Sequence, residues 1–446
     1  MADQHLKQRH NASTMPAPVP DFGGGTREKV VGDHPSGEVK HGLVAQVCRM
    51  LSFATYFWAC CSTIQATQLI GLPLYWINRN IYYAWMALTK QSFGLVITTM
   101  TQWWSPTVVR ISGDASVAGQ LRKTADGRAE CDFPERLIMV ANHQLYTDWL
   151  YLWWVAYTNQ PQTHGYIHII AKDSLKWVPI IGWGMQFYNF IFISRKMEKD
   201  RPVMAHRFKQ LQEKRPGASQ LDPMWLLLFP EGTNASDNRR AASAKWAEKI
   251  GVKDMEHVLL PRSTGSFFCF NELKKTVDYV YDCTMAYEGV PRGKFGQDYF
   301  TLTSSYIEGR PPKSVNLFWR RFKIADIPLD DPEKFEVWLR EKWYEKDALM
   351  EQYMTTGRFP PNVTPENGTV EDFIETEVRP KHWFEVFNIF LVLATTGLVA
   401  NLLAKSWNLA LHGCIIKDIN VHGWTAQHGL LTTHRVSGVF KAKAGG

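Results

Sequence analysis

His143 and Asp148 stand five residues apart, after the apolar run 137–141 and around the head of a Trp/Leu/Tyr-rich segment with helical spacing. The run predicts a short buried strand that delivers Asn142 and His143 into a turn. On one continuous helix, five residues would rotate the second side chain by roughly 140° from the first, and the two would point apart. With His143 in the turn and Asp148 in the first turn of the helix, they can meet. A carboxylate so placed holds the proton of one imidazole nitrogen and leaves the other free to take a proton from a hydroxyl. No serine or cysteine stands beside the pair, so that hydroxyl would belong to a substrate. Taken alone, the pair is also compatible with a loop histidine beside a helix-capping aspartate.

Three further stretches carry chemical residue types. Phe192-Ile193-Ser194-Arg195 ends an apolar strand on a cation and opens a basic run through Lys196, Lys199 and Arg201. A guanidinium matches phosphate oxygens bidentately; a solvated sheet edge is the alternative. Phe229-Pro230-Glu231-Gly232-Thr233 follows a strand predicted over 225–229. Glycine there permits close backbone approach and threonine offers a hydroxyl, while Glu231 is alternatively a helix-capping carboxylate. Leu260-Pro261-Arg262 leads into Ser263, Thr264 and Gly265, with a basic surface loop as the alternative.

Together with the N-H-x-x-x-x-D pattern of Asn142, His143 and Asp148, these blocks resemble the four motif blocks of the glycerophospholipid acyltransferase family. The likeness is to the eukaryotic branch that includes 1-acylglycerol-3-phosphate, lysocardiolipin and lysophosphatidylinositol acyltransferases, and it runs from about residue 43 to about residue 361. The resemblance implies His143 as general base and Asp148 as its orienter. It implies acyl-CoA as co-substrate, a lysophospholipid acceptor, no acyl-enzyme, no bound cofactor and no metal. Arg195 is then assigned to the acceptor phosphate, Glu231, Gly232 and Thr233 to its glycerol phosphate, and Pro261 and Arg262 to acyl-CoA or acceptor. Asn142, Lys172 and Asn234 complete the expected substrate-contacting set. Lys172, with Pro179 and Gly182-Trp183, resembles the family's segment between the first two blocks, and Trp183 is read as packing. Two positions depart from the family pattern: Asn189 where a glycine is usual, and Asn234 where many members carry arginine. One phosphate-pairing cation is missing at 234, which favours a phosphodiester head group over a phosphomonoester such as lysophosphatidate.

The elements that must hold these residues follow from patterning. Short strands over 137–141, 166–171, 190–194, 225–229 and 279–286 alternate with helical segments, predicting an α/β domain over 108–325 with a mixed sheet and surrounding helices. Asp331-Pro332 opens a helix, with Asp331 as N-cap and Pro332 at the first position. Phe335, Trp338, Leu339 and Trp343 stripe one of its faces, and Gly357 ends it. This helix defines a C-terminal extension over 326–380, whose wording resembles the same branch. Residues 50–72 lack Asp, Glu, Lys and Arg, long enough to cross a hydrocarbon core of about 30 Å. A second apolar segment, 81–109, is interrupted by Lys90. The two are expected as N-terminal membrane helices within 41–107, with a buried soluble hairpin as the alternative. A third apolar stretch, 384–403, is expected as a C-terminal membrane helix within 381–446. Residues 1–40 and 417–446 read as loosely held tails.

Net charge is +7 with 13% aromatic residues and 18 tryptophans, a composition suited to anionic lipid or a phosphorylated co-substrate at a membrane interface. No zinc spacing or RNA-binding signature accompanies the charge, so nucleic acid is not an expected partner. The seven scattered cysteines indicate reduced thiols and a cytosol-facing domain. Four N-x-S/T sequons begin at Asn11, Asn234, Asn362 and Asn367. Asn234 falls in the expected active site, where a glycan would block it, so the sequons are read as chance matches. The expected location is the endoplasmic reticulum membrane with the site facing the cytosol, with a mitochondrial or lipid-droplet membrane as alternatives. A lipid hydrolase would need a nucleophile elbow, and no Gly-x-Ser-x-Gly is present. A catalytically silent lipid-binding relative is the other reading.

Overall fold

The computed structural model describes residues 34–363 and 373–409. The expected N-terminal tail up to residue 33 and the whole C-terminal tail lie outside the described residues, as do Cys414, Asn11 and Asn367. Contacts divide the chain into Met1–His34 and Pro35–Gly446, and every element named below belongs to the second unit.

Helix α1, Leu43–Gly71, is followed by a short helical turn and then by α2, Arg79–Trp104. The Asn78 side chain caps α2 by accepting from the Asn80 and Ile81 backbone N–H groups. Then come β1 (Val108–Gly113), β2 (Leu121–Lys123), β3 (Ala129–Cys131), β4 (Arg136–Ala141), α3 (Asp148–Thr158) and β5 (Ile167–Lys172). They are followed by α4 (Ile181–Phe187), β6 (Ile191–Ile193), α5 (Met197–Gln212), β7 (Met224–Leu228), α6 (Asp237–Ile250) and α7 (Ser263–Leu273). The chain continues through β8 (Tyr279–Tyr287), β9 (Ser314–Lys323), α8 (Pro332–Thr356) and β10 (Ile374–Glu377). It ends in an apolar helix, α9, spanning Trp383–Leu409.

Eight strands form one mixed sheet in the order β10-β1-β9-β8-β4-β7-β5-β6. β8, β4, β7, β5 and β6 run parallel, whereas β8–β9 and β1–β10 are antiparallel. The central strands read as unbroken apolar runs because helices cover both of their faces. Alternate residues divide between the two layers. Leu137, Met139, Trp225 and Leu227 pack with α2 and α3, while Ile138, Val140, Leu226 and Leu228 pack with α5, α7 and α8.

The five expected strands are present within one or two residues of their expected bounds. α8 begins and ends as read: the Asp331 side chain accepts from the Glu333 and Lys334 N–H groups, and Gly357 closes it in the left-handed region. The sheet nevertheless reaches beyond 108–325, because β10 lies in the extension. Among the described residues, two helices are long and apolar enough to cross a membrane, Leu43–Ile77 and Trp383–Leu409. The second apolar segment differs from its expected membrane role. From Met86 to Thr101 most of α2 is buried, packed on the sheet beside α3. Its polar residues are absorbed locally: Thr98, Thr99 and Thr101 donate to carbonyls one turn back, and Lys90 Nζ donates to the Ile167 carbonyl at 2.8 Å. α2 is therefore a core helix of the α/β domain.

Candidate active site

The carboxyl ends of β4, β7, β5 and β6 lie along one edge of the sheet, the edge where parallel α/β sheets bind ligands. The β4–β8 ladder closes at Ala141 and Cys283. Asn142 extends it with its side chain, donating to the Met285 carbonyl at 3.0 Å and accepting from the Met285 N–H at 2.8 Å. Asn142 is fully buried, so the structure places it as a brace beneath the turn and not on the substrate side. The brace fixes where His143 leaves the sheet.

His143 Nδ1 lies 2.9 Å from Asp148 Oδ2. Asp148 opens α3, is fully buried, and also gathers the intervening turn. Its Oδ2 accepts from the Gln144 and Leu145 N–H groups at 2.6 and 3.0 Å, and its Oδ1 accepts from the Tyr287 hydroxyl at 2.5 Å. With Nδ1–H directed at a carboxylate, the lone pair of neutral His143 sits on Nε2. The imidazole stacks on Phe229, with centroids 4.2 Å apart and planes inclined by 22°. The Ala235 N–H donates to the His143 carbonyl at 2.8 Å, joining the loop after β7 to the turn that carries His143. Tyr287 was not foreseen; it is the last residue of β8, one beyond the expected end of that strand. Tyr287→Phe would leave a buried carboxylate oxygen unpaired. A hydrogen bond to a charged group contributes about 1.5–3 kcal/mol, so this variant should turn over roughly tenfold more slowly with little change in KM, as steady-state kinetics would show.

Glu231 follows β7 and is buried. Trp343 of α8 donates its indole N–H to Glu231 Oε1 at 3.4 Å, so the tryptophan stripe of the extension does more than pack. Burial pushes the Glu231 carboxyl up to about 8, opposed by Trp343, the His143 backbone and Lys346. Gly232 has φ +73°, and a side chain there would be strained. A Cβ at this position would lie 3.7 Å from Arg262 Cδ, and the Arg262 N–H donates to the Pro230 carbonyl at 2.8 Å. The third and fourth blocks thus meet across the loop. Thr233 and Asn234 are half-buried on it.

Arg195 follows β6 with φ +65°. Burial, and then the neighbouring Arg239 and Arg262 guanidiniums, lower its pKa. Among the described residues no carboxylate pairs with any of these three arginines. Lys172 ends β5 on the same edge. Arg239 belongs to the set, whereas its neighbour Arg240 is consumed by Asp254 and the Met255 and Val258 carbonyls. Elsewhere, Glu256, His257 and Glu351 lie close enough to share a cation, but Arg292 already bridges both carboxylates.

Behind the turn, α8 inserts Lys346 into the core. Its Nζ lies 2.7 Å from Asp282 Oδ1 and donates to the Cys283 carbonyl at 2.7 Å. Arg320 Nε holds the other Asp282 oxygen at 2.6 Å. Lys346 and Asp282 are both buried.

Comparison with known proteins agrees with this arrangement. Residues 124–288 match the family model described as acyltransferase, and residues 305–384 match that described as acyltransferase C-terminus. An uncharacterized acyltransferase of Schizosaccharomyces pombe is 39% identical over 343 residues, covering 77% of this chain and 93% of that protein. The 2-acyl-1-lysophosphatidylinositol acyltransferase of Saccharomyces cerevisiae is 34% identical over 369 residues, 75% of this chain and 91% of that protein. Lysocardiolipin acyltransferase 1 of Danio rerio is 30% identical over 288 residues, 63% of each chain. The chain belongs to the glycerophospholipid acyltransferase family.

Proposed function

We propose that this chain transfers a fatty acyl group from acyl-CoA to the free hydroxyl of a membrane lysophospholipid with a phosphodiester head group, of the lysophosphatidylinositol kind. The observation that carries the reading is the His143–Asp148 pair, with Nε2 unengaged and no serine or cysteine hydrogen-bonded to the ring among the described residues. In this mechanism the acceptor hydroxyl gives its proton to His143 Nε2 as its oxygen attacks the thioester carbonyl. The C–S bond then breaks, and the departing CoA thiolate takes the proton back from imidazolium. Asp148 keeps the imidazole in the required tautomer and stabilises the imidazolium. Arg195, Arg239 and Arg262, with Lys172, hold phosphate. The reading places the enzyme at the endoplasmic reticulum membrane with its site towards the cytosol, where acyl-CoA is made. Purified protein offered labelled acyl-CoA with a panel of lysophospholipids tests it; transfer to none of them would reject it.

Asn234 bears on the head group. A phosphomonoester near neutral pH carries between one and two negative charges, whereas a phosphodiester carries one. Asn234→Arg should therefore shift the kcat/KM ratio towards lysophosphatidate over lysophosphatidylinositol. A charge-assisted hydrogen bond contributes about 1.5–3 kcal/mol, a roughly tenfold to hundredfold change in ratio. An unchanged ratio in a folded, active variant would place residue 234 away from the phosphate.

A further inference from the structure

Residues 177–183 read Trp-Val-Pro-Ile-Ile-Gly-Trp, seven positions without a charge between β5 and the first turn of α4. The segment is tightly built. The Gly182 N–H donates to the Val178 carbonyl at 2.8 Å, and Val178 N–H donates to the Leu175 carbonyl at 3.2 Å. A Cβ on Gly182 would lie 2.2 Å from the Leu175 oxygen, so the turn closes only with glycine. This firm framework turns large apolar side chains outward: Trp177 is 70% exposed, Trp183 46% and Val178 36%. Trp183 is thus not the packing residue that the sequence suggests. A tryptophan can bury roughly 150–250 Å², and here two close neighbours leave much of that area uncovered.

The surroundings identify what covers it. Gly184 lies against Gln65 and Gln68 of α1, and Gln68 Nε2 donates to the Gly184 carbonyl at 3.4 Å. The next α1 residues, Leu69 and Ile70, are exposed, as are Trp76 and Ile77 just beyond. The patch therefore continues the outer face of a helix apolar enough for a membrane. Lys176 edges it, with Nζ 5.3 Å from the Trp177 ring centroid and paired with Asp173 at 2.7 Å. Tryptophans bordered by a lysine are what a membrane–water interface selects. The segment also leaves β5 at its carboxyl end, the edge at which His143 stands in the turn just beyond β4. Two strand spacings separate β4 from β5, about 10 Å.

We propose that residues 177–183 sit in the membrane–water interface and, with the adjoining end of α1, form the face across which the lipid acceptor passes from the bilayer towards His143. The passage rests on the acyltransferase reading; the membrane contact does not. The full chain carrying Trp177→Cys, labelled with bimane in phosphatidylcholine nanodiscs, should be quenched several-fold more by a nitroxide on the lipid acyl chains than by aqueous iodide. The wild-type chain labelled in parallel subtracts the exposed Cys48. Stronger quenching by iodide would overturn the proposal, and this readout needs no turnover. In a second arm, a Trp177→Ser/Trp183→Ser variant should raise KM several-fold for a long-chain acceptor in bilayers and leave kinetics on a short-chain, water-soluble acceptor unchanged. Equal losses on both acceptors would reject the passage while leaving the acyltransferase reading standing.

Discussion

His143→Ala is expected to lower kcat by about a hundredfold or more, the usual contribution of a positioned general base, while the chain stays folded. The imidazole lies in a turn and is partly exposed, so its removal forfeits a stacking contact with Phe229 and one hydrogen bond. The four donors that define the turn from the Asp148 side are three without it: Gln144 N–H, Leu145 N–H and the Tyr287 hydroxyl remain. Circular dichroism and a thermal transition close to wild type, together with the rate loss, would place the defect in chemistry. Retention of more than about a tenth of wild-type turnover would mean that another group takes the proton, and the mechanism would fall.

The second large effect concerns stability. Asp282→Ala should destabilise the fold by about 3–5 kcal/mol, because it strips the counter-charge from a fully buried Lys346. Lys346→Met should cost less, since Asp282 retains Arg320 at 2.6 Å. The order of the two thermal transitions is the readout. Equal or reversed losses would show that Lys346 is neutral in the native protein, held by the Cys283 carbonyl and Thr284 hydroxyl alone. The network also ties the C-terminal extension to the strand beside the His143 turn, so the damage should reach activity as well.

Sequence made the chemistry more legible than its supports. His143, Asp148 and the loops carrying Arg195, Glu231 and Arg262 announce themselves by residue type and spacing, and they gather on one sheet edge. Asn142 was misplaced because an amide reads alike whether it meets a ligand or a neighbouring strand; only the register of β4 against β8 separates the two. Tyr287 and Trp343 were invisible for another reason. Each reaches the site from more than a hundred residues away through one polar atom on an otherwise apolar ring. α2 misled through its composition, since threonines that bond back to their own helix leave an apolar outer surface, in a core as in a bilayer. β10 is a short edge strand that alternates buried with exposed residues over only four positions, too few for periodicity to register.

The pairing of β1 has a consequence for how the chain is made. Its partners β9 and β10 lie roughly 200 and 260 residues downstream. At a synthesis rate of about 5–20 residues per second, β1 waits on the order of ten seconds to a minute before either strand exists. α1 has emerged well before then, with its apolar side uncovered. A helix long and apolar enough to cross a membrane is therefore available while the sheet is still open, and the last strand to arrive, β10, is followed directly by the second such helix. The order of synthesis presents the first apolar helix early and closes the sheet edge late.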